Sequence, residues 1–232
     1  MLRTQYSPTQ LGVRPAPELV QRLLIGAFGW MFAGLLISAG VAFVTMSSDA
    51  LINAVANIWF LIMIGQLALA VGIQATINRL SPTASLGLFF VFAASMGLTI
   101  GIIVSAYNGP SVAGAFLSAS AMFGAAALYG ATTRRELAGM GGILFMGLIG
   151  IIVASIVNLL LASSMIGWLI SIAGVALFTV LTAYDVQRIT RGDYAAFAGS
   201  QERASIMAAL HLYLDFINLF LFMLRLMGGS RN

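Results

Sequence analysis

Long uncharged runs set the rhythm of this chain. Residues 23–48 carry no charged side chain, Asp49 interrupts, and 50–78 are again uncharged up to Arg79. Each run exceeds the ~20 apolar residues needed to cross a hydrocarbon core, so they predict the first two membrane spans. The next uncharged run, 80–133, is too long for one helix and holds Tyr107-Asn108-Gly109-Pro110 at its middle, a turn signal with a helix breaker. It divides into spans near 84–106 and 111–130. The run 137–184 divides at Ala162-Ser163-Ser164, giving spans near 139–162 and 165–187. A last apolar segment, about 205–227, is interrupted by Asp215 and closed by Arg225, Gly228 and Gly229. The expected fold is an all-α membrane protein with seven transmembrane helices over residues 23–228, a flexible tail at 1–22 and a short tail at 229–232.

Composition agrees with that pattern. Apolar residues make up 60% of the chain and charged ones 8%, with a mean hydropathy of +1.01; soluble domains run nearer ~25% charged. Lipid is therefore the expected partner. The 11 basic residues, all Arg, are spread along the spans and form no basic stripe, which argues against nucleic acid despite a net charge of +4. Without Lys there is no Schiff-base chemistry, and without Cys no disulfide, thiolate or cysteine metal site. A single histidine, His211, excludes multi-histidine zinc or haem ligation, so no cofactor is expected.

The arginines also suggest an orientation. Arg3, Arg14, Arg22, Arg79, Arg134, Arg135, Arg188, Arg191 and Arg203 fall in the N-terminal tail and the even-numbered connections, against Arg225 and Arg231 on the other side. The positive-inside bias then predicts a cytoplasmic N-terminus and an outside C-terminus. Spans four and five are rich in small residues, among them Gly114, Gly124, Gly142, Gly147 and Gly150, which reads as close helix packing.

Two acids demand an explanation. Asp215 lies about ten residues inside span seven, near mid-membrane at ~1.5 Å per residue, where an unpaired carboxylate costs at least ~2.5 kcal/mol. His211, Asn218 and Arg225 share its helix face within about 80° of arc. Such a stripe does not suit lipid, so span seven should be surrounded by the other helices. Asp185 stands at the end of span six beside Arg188, and alone it reads as an interfacial ion pair. The span boundaries put it nearer the interface than Asp215 by about 10 Å. Either span seven begins later than residue 205 or the helices stagger.

The stretch Ala209-Leu210-His211-Leu212-Tyr213-Leu214-Asp215-Phe216-Ile217-Asn218-Leu219-Phe220, followed by Leu224-Arg225, resembles the last-helix signature of the Bax-inhibitor family (transmembrane Bax inhibitor motif proteins), in its bacterial branch. Ala183-Tyr184-Asp185-Val186-Gln187 resembles the family's sixth-helix motif, and residues 129–137 a motif after its fourth helix. The resemblance covers about residues 23–228. It implies six helices enclosing a central seventh, a bacterial inner (cell) membrane location, and a pH-sensitive calcium leak. It further implies that Asp185 and Asp215 form a proton-sensing carboxylate pair, supported by His211, Asn218 and Arg225, with Arg79 the candidate for an arginine latch after the second helix. His211 stands where the family pattern leads one to expect a small residue; it either joins the titrating unit or hydrogen-bonds inside the bundle.

The leading expectation is thus a pH-regulated cation leak gated by the aspartate pair, with calcium as transported ion. Two carboxylates fall short of the six to eight oxygens of a calcium cage, so no tight metal site is expected, only weak calcium at Asp185 and Asp215. A second reading, which the resemblance also allows, is a membrane module that modulates a membrane-bound quality-control protease through the N-terminal tail. An enzyme is not expected. Neither aspartate follows a Gly as in intramembrane aspartyl proteases, and the helical face of His211 offers no Ser.

Overall fold

Every expected span contains a membrane-length helix in the computed structural model, which describes residues 15–228. Seven helices are long and apolar enough to cross a membrane, and among the described residues there is no strand. The tail at 229–232 and residues 1–14 of the N-terminal tail, on which the protease reading turns, lie outside the described residues. The rest of that expected tail is shorter than the charge pattern suggested. Pro17 occupies the first turn of α1 (Pro17–Met46), where its missing N–H costs nothing, and Glu18 complements the positive end of the helix.

The second span departs from expectation. Residues 50–78 do not form one helix: α2 (Asp49–Asn57) and α3 (Trp59–Thr76) are separated at Ile58, whose backbone leaves the helical region. The uncharged run is longer than a crossing requires, and the surplus becomes a short separate helix. It ends at Asn57, a residue whose side chain competes for backbone hydrogen bonds. α4 (Pro82–Ser105) starts on a Ser81 cap whose side chain accepts from Ala84 N–H at 3.2 Å. α5 (Gly109–Thr132) starts on Asn108, which accepts from Ser111 N–H at 2.8 Å. The turn read at 107–110 is therefore a helix cap. A 3-10 turn (Ala138–Met140) leads into α6 (Gly141–Leu161), which ends at a left-handed Ala162. α7 (Ser164–Thr190) is followed by a six-residue helix, α8 (Asp193–Ala198), that the hydropathy pattern did not show, and then by α9 (Gln201–Met227).

The helices group into two compact units. One holds α1 to α4, residues 189–213 and therefore α8 with the first half of α9. The other holds α5, α6, α7 to Arg188 and the second half of α9. In the first unit α1 and α4 run in close contact through Gly97 and Gly101, four residues apart. A Cβ on Gly97 would lie 2.6 Å from the Ser38 carbonyl oxygen, and one on Gly101 2.7 Å from Thr45 Cβ. Small residues replace the hydrophobic drive that lipid removes. The Gln66 amide of α3 donates to the Ser95 carbonyl and the Thr99 hydroxyl of α4, both at 2.9 Å.

In the second unit the glycine expectation holds only in part. Gly147 lies against Leu177, whereas Gly124, Gly142 and Gly150 have open space where a Cβ would be. The close approach is made instead at Gly130, packed on the Ala183 carbonyl. α9 is the span covered by protein: two-thirds of its most apolar stretch is buried (67%), against 11–39% in the other six.

Replacing Gly97 by Val should lower the thermal unfolding temperature in detergent, with an overpacking cost of about 1–3 kcal/mol. Gly65→Val, with nothing within 4 Å of its Cβ position, should stay near wild type. Equal effects of the two would show that α1 and α4 do not depend on this approach.

Candidate functional site: a buried carboxylate pair

Asp185 and Asp215 both belong to the second unit, on α7 and on the second half of α9. Both are buried, 5% and 4% exposed, and the charge of Asp185 acts on the Asp215 carboxyl. α9 begins at Gln201, earlier than residue 205, so a later start of span seven does not bring the two acids level.

Their surroundings differ. Asp185 Oδ1 accepts from Arg188 Nη1 at 3.4 Å, one turn on, and that guanidinium lies 5.5 Å from the centroid of the Tyr184 ring. Asp215 Oδ2 is buried and has no hydrogen-bond partner among the described residues. The next residue, Phe216, is held edge-on by Phe116 and Phe123, with ring centroids 5.7 and 5.5 Å away. One carboxylate thus has a cationic neighbour, while an oxygen of the other lacks a hydrogen-bond partner among the described residues.

The helix carrying Asp185 is fixed on both sides of it. The Gln187 side chain takes Leu137 N–H at 2.8 Å through Oε1 and gives a hydrogen bond to the Arg135 carbonyl at 2.8 Å through Nε2. Ala183 packs with Ala126 and Leu137, joined by Met140 and Tyr184. The two stretches singled out in the sequence, 129–137 and 183–187, are therefore in contact. Gln187 was not recognised as a clamp beforehand; a glutamine two residues beyond an acid at a span end was the available signal.

The remaining candidates are distributed. Asn218 donates to the Leu214 carbonyl of its own helix at 2.8 Å, a satisfied group turned back on α9. Arg225 is exposed and lays its guanidinium on Gly167, whose Cβ would be 2.5 Å from Nη2. Arg79 is exposed in the turn after α3 and belongs to the first unit, not to the unit of the pair. His211 also belongs to the first unit, half-buried, with Nδ1 2.8 Å from the Tyr194 hydroxyl and Nε2 3.0 Å from Gln74 Oε1.

Tyr213, also of the first unit, is fully buried. Its hydroxyl lies 2.6 Å from Ser38 Oγ, which also faces the carbonyls of Ala93 (2.7 Å) and Gly34 (3.0 Å). A serine has one hydrogen to give, and the carbonyls take it. Tyr213 is therefore the donor to Ser38. Phe89 and Phe92 stand edge-on to its ring, 5.6 and 5.9 Å between centroids.

Comparison with known proteins adds a family. The model described as "Inhibitor of apoptosis-promoting Bax1" matches residues 20–232. Inner membrane protein YbhL of Escherichia coli K12 is 42% identical over 225 residues, covering 94% of this chain and 96% of that protein. An uncharacterized protein of Deinococcus radiodurans is 39% identical over 216 residues, 93% of each chain. Protein RP147 of Rickettsia prowazekii is 36% identical over 220 residues, 93% of this chain and 92% of its own.

Gln187→Leu keeps the volume but leaves two backbone groups without their partner, at about 1–3 kcal/mol. Trypsin should then cut after Arg134 and Arg135 several-fold faster than in wild type. An unchanged cleavage rate would mean that the clamp does not hold this connection.

Proposed function

This chain belongs to the Bax inhibitor family, and we propose that it is a pH-regulated cation leak of the inner membrane gated by Asp185 and Asp215. The observation that carries the reading is the pair of buried carboxyls on α7 and α9, each within reach of the other's charge, with Asp215 Oδ2 lacking a hydrogen-bond partner among the described residues. Two carboxylates facing one another in a low-dielectric interior repel strongly when both are ionised. One proton shared between them removes that repulsion and supplies a hydrogen for an oxygen that otherwise lacks one. The two then titrate as one unit.

The sign follows from charge. At low pH the pair holds its proton and α7 and α9 stay together; as pH rises the proton leaves, the carboxylates repel, and α7 and α9 part. The exposed charges are negative, so the opened path favours cations. Calcium is the ion implied by the family resemblance. It is cargo here rather than a resident group. Two carboxylates fall short of the six to eight oxygens of a calcium cage, which suits passage better than retention. The inner-membrane location rests on the seven apolar helices and on the relative named as an inner membrane protein. No catalytic role is assigned.

Calcium flux into proteoliposomes should rise with pH for the wild-type chain. Asp185→Asn and Asp215→Asn should each reduce its variation with pH about tenfold, equivalent to ~1.4 kcal/mol of differential interaction between the protonation states. Flux indifferent to pH and to both substitutions would sink the gate.

A further inference from the structure

We propose that Arg225, with Asn158 and the first turn of α7, forms a binding site for a phosphate group at the membrane surface on which α9 ends. The inference goes beyond the proposed gate and does not depend on it.

One unit supplies every part of the site: the end of α6, the start of α7 and the end of α9. Gly167 is its floor. A Cβ there would stand 2.5 Å from Arg225 Nη2 and 3.2 Å from Asn158 Nδ2, so two donors converge on the space that a side chain would fill. Asn158 is buried, 7% exposed, and its two polar atoms are used differently. Oδ1 accepts from Ser163 N–H at 3.2 Å and braces the bend at the left-handed Ala162. Nδ2 has no hydrogen-bond partner among the described residues, and unlike Asp215 Oδ2 it is open to the surface. An amide nitrogen only donates, so this side chain offers hydrogens that the protein leaves untaken.

Arg225 presents the same imbalance. It stands in the last turn of α9, where a cation suits the helix end, yet its guanidinium lies on the first turn of α7, where the partial charge is positive. Ser163 takes Ile166 N–H through Oγ and Gly167 N–H through its carbonyl. The N–H groups of Ser164 and Met165 have no acceptor among the described residues. Nor does any carboxylate among them pair with Arg225. The acids of the unit are elsewhere: Glu136 precedes α6, Asp185 lies 21 residues beyond Ser164, and Asp215 precedes Arg225 by ten, roughly 15 Å along the helix. A cation, an untaken amide and a helix N-terminus thus face one space with no anion in it.

Depth selects the anion. Three membrane-length helices begin or end here, at the level where phospholipid phosphates lie. The adjoining wall is apolar and exposed, made by Leu160, Leu161, Met165 and Trp168. Tryptophan favours headgroup depth, and such a wall suits acyl chains. The guanidinium fork matches two phosphate oxygens. A phosphodiester headgroup fits both the donors and the wall, and inorganic phosphate is the other carrier of the same group.

The full chain, stripped of lipid in detergent, can be titrated with short-chain phosphatidylglycerol, with diacylglycerol of the same chains, and with inorganic phosphate, following the unfolding temperature. Phosphatidylglycerol should raise it saturably, and diacylglycerol should not. Arg225→Gln and Gly167→Ala, the second keeping the charge but displacing the guanidinium, should each weaken the apparent affinity about tenfold, as for loss of one hydrogen bond to a charged group. Arg134→Gln, which removes an exposed charge after α5, should leave the affinity unchanged. Without ligand, Arg225→Gln should unfold near the wild-type temperature, which separates loss of the site from loss of the fold. A rise with inorganic phosphate as large as with the lipid, lost in the same two variants, would uphold the site and assign it to the free anion. The proposal is overturned by no phosphate-dependent rise, by an equal rise with diacylglycerol, or by unchanged affinity in both variants.

Discussion

A carboxyl group at the middle of a membrane helix is the constraint on which the rest of this structure depends. Asp215 stands near the centre of α9, where a lipid-facing acid costs several kcal/mol. That cost is avoided only if protein covers the helix, and α9 is indeed the most buried of the seven apolar helices. Coverage requires neighbours that come close. Gly97 and Gly101 let α1 and α4 meet backbone to backbone, and Gly130 lets α5 reach the Ala183 carbonyl of α7. The glycines that face open space do not contribute to this. Closeness is thus concentrated at a few points rather than spread along every small-residue face.

Polar side chains inside the units follow the same economy. Ser38 with Tyr213, Gln66 with Ser95 and Thr99, and Gln187 with the 135–137 backbone each pair a buried polar group with a partner on another element. In the absence of water such groups are held in fixed geometry, because an unmade bond costs more than the bond itself contributes. Against that background the Oδ2 of Asp215 is an exception. Among the described residues it shares that state only with Arg203 Nε, and it is the one carboxylate oxygen to do so.

The number and order of spans were legible because lipid imposes a length and excludes charge, and both leave a one-dimensional trace. The break at Ile58 left only a faint one: Asn57 is a weak helix former in an otherwise uncharged run. α8 was hidden because a six-residue helix anchored by one tyrosine has no period to read. The acids were legible as anomalies, Asp215 from its depth and Asp185 through the motif around it. The electrostatic link between them was not, since counting residues from span ends does not say how one helix lies beside another. Arg79 came in through the resemblance and Arg225 through its place on the Asp215 face of the helix, and the structure leaves both exposed. Tyr213 was passed over because a tyrosine among apolar residues looks like packing until its donor role to Ser38 is seen.

α9 carries two ionisable groups one turn apart that are treated in opposite ways. His211 has a hydrogen-bond partner at each ring nitrogen, Tyr194 and Gln74. Asp215 Oδ2 has none among the described residues, and the charge it meets is that of Asp185. The helix between them is continuous from Gln201 to Met227, and its two halves belong to different units. The one covered helix thus holds two polar positions whose partners lie on different elements, Gln74 on α3 and Tyr194 on α8 for the one and Asp185 on α7 for the other. Covering α9, which the membrane requires, is what gives both positions their protein surroundings.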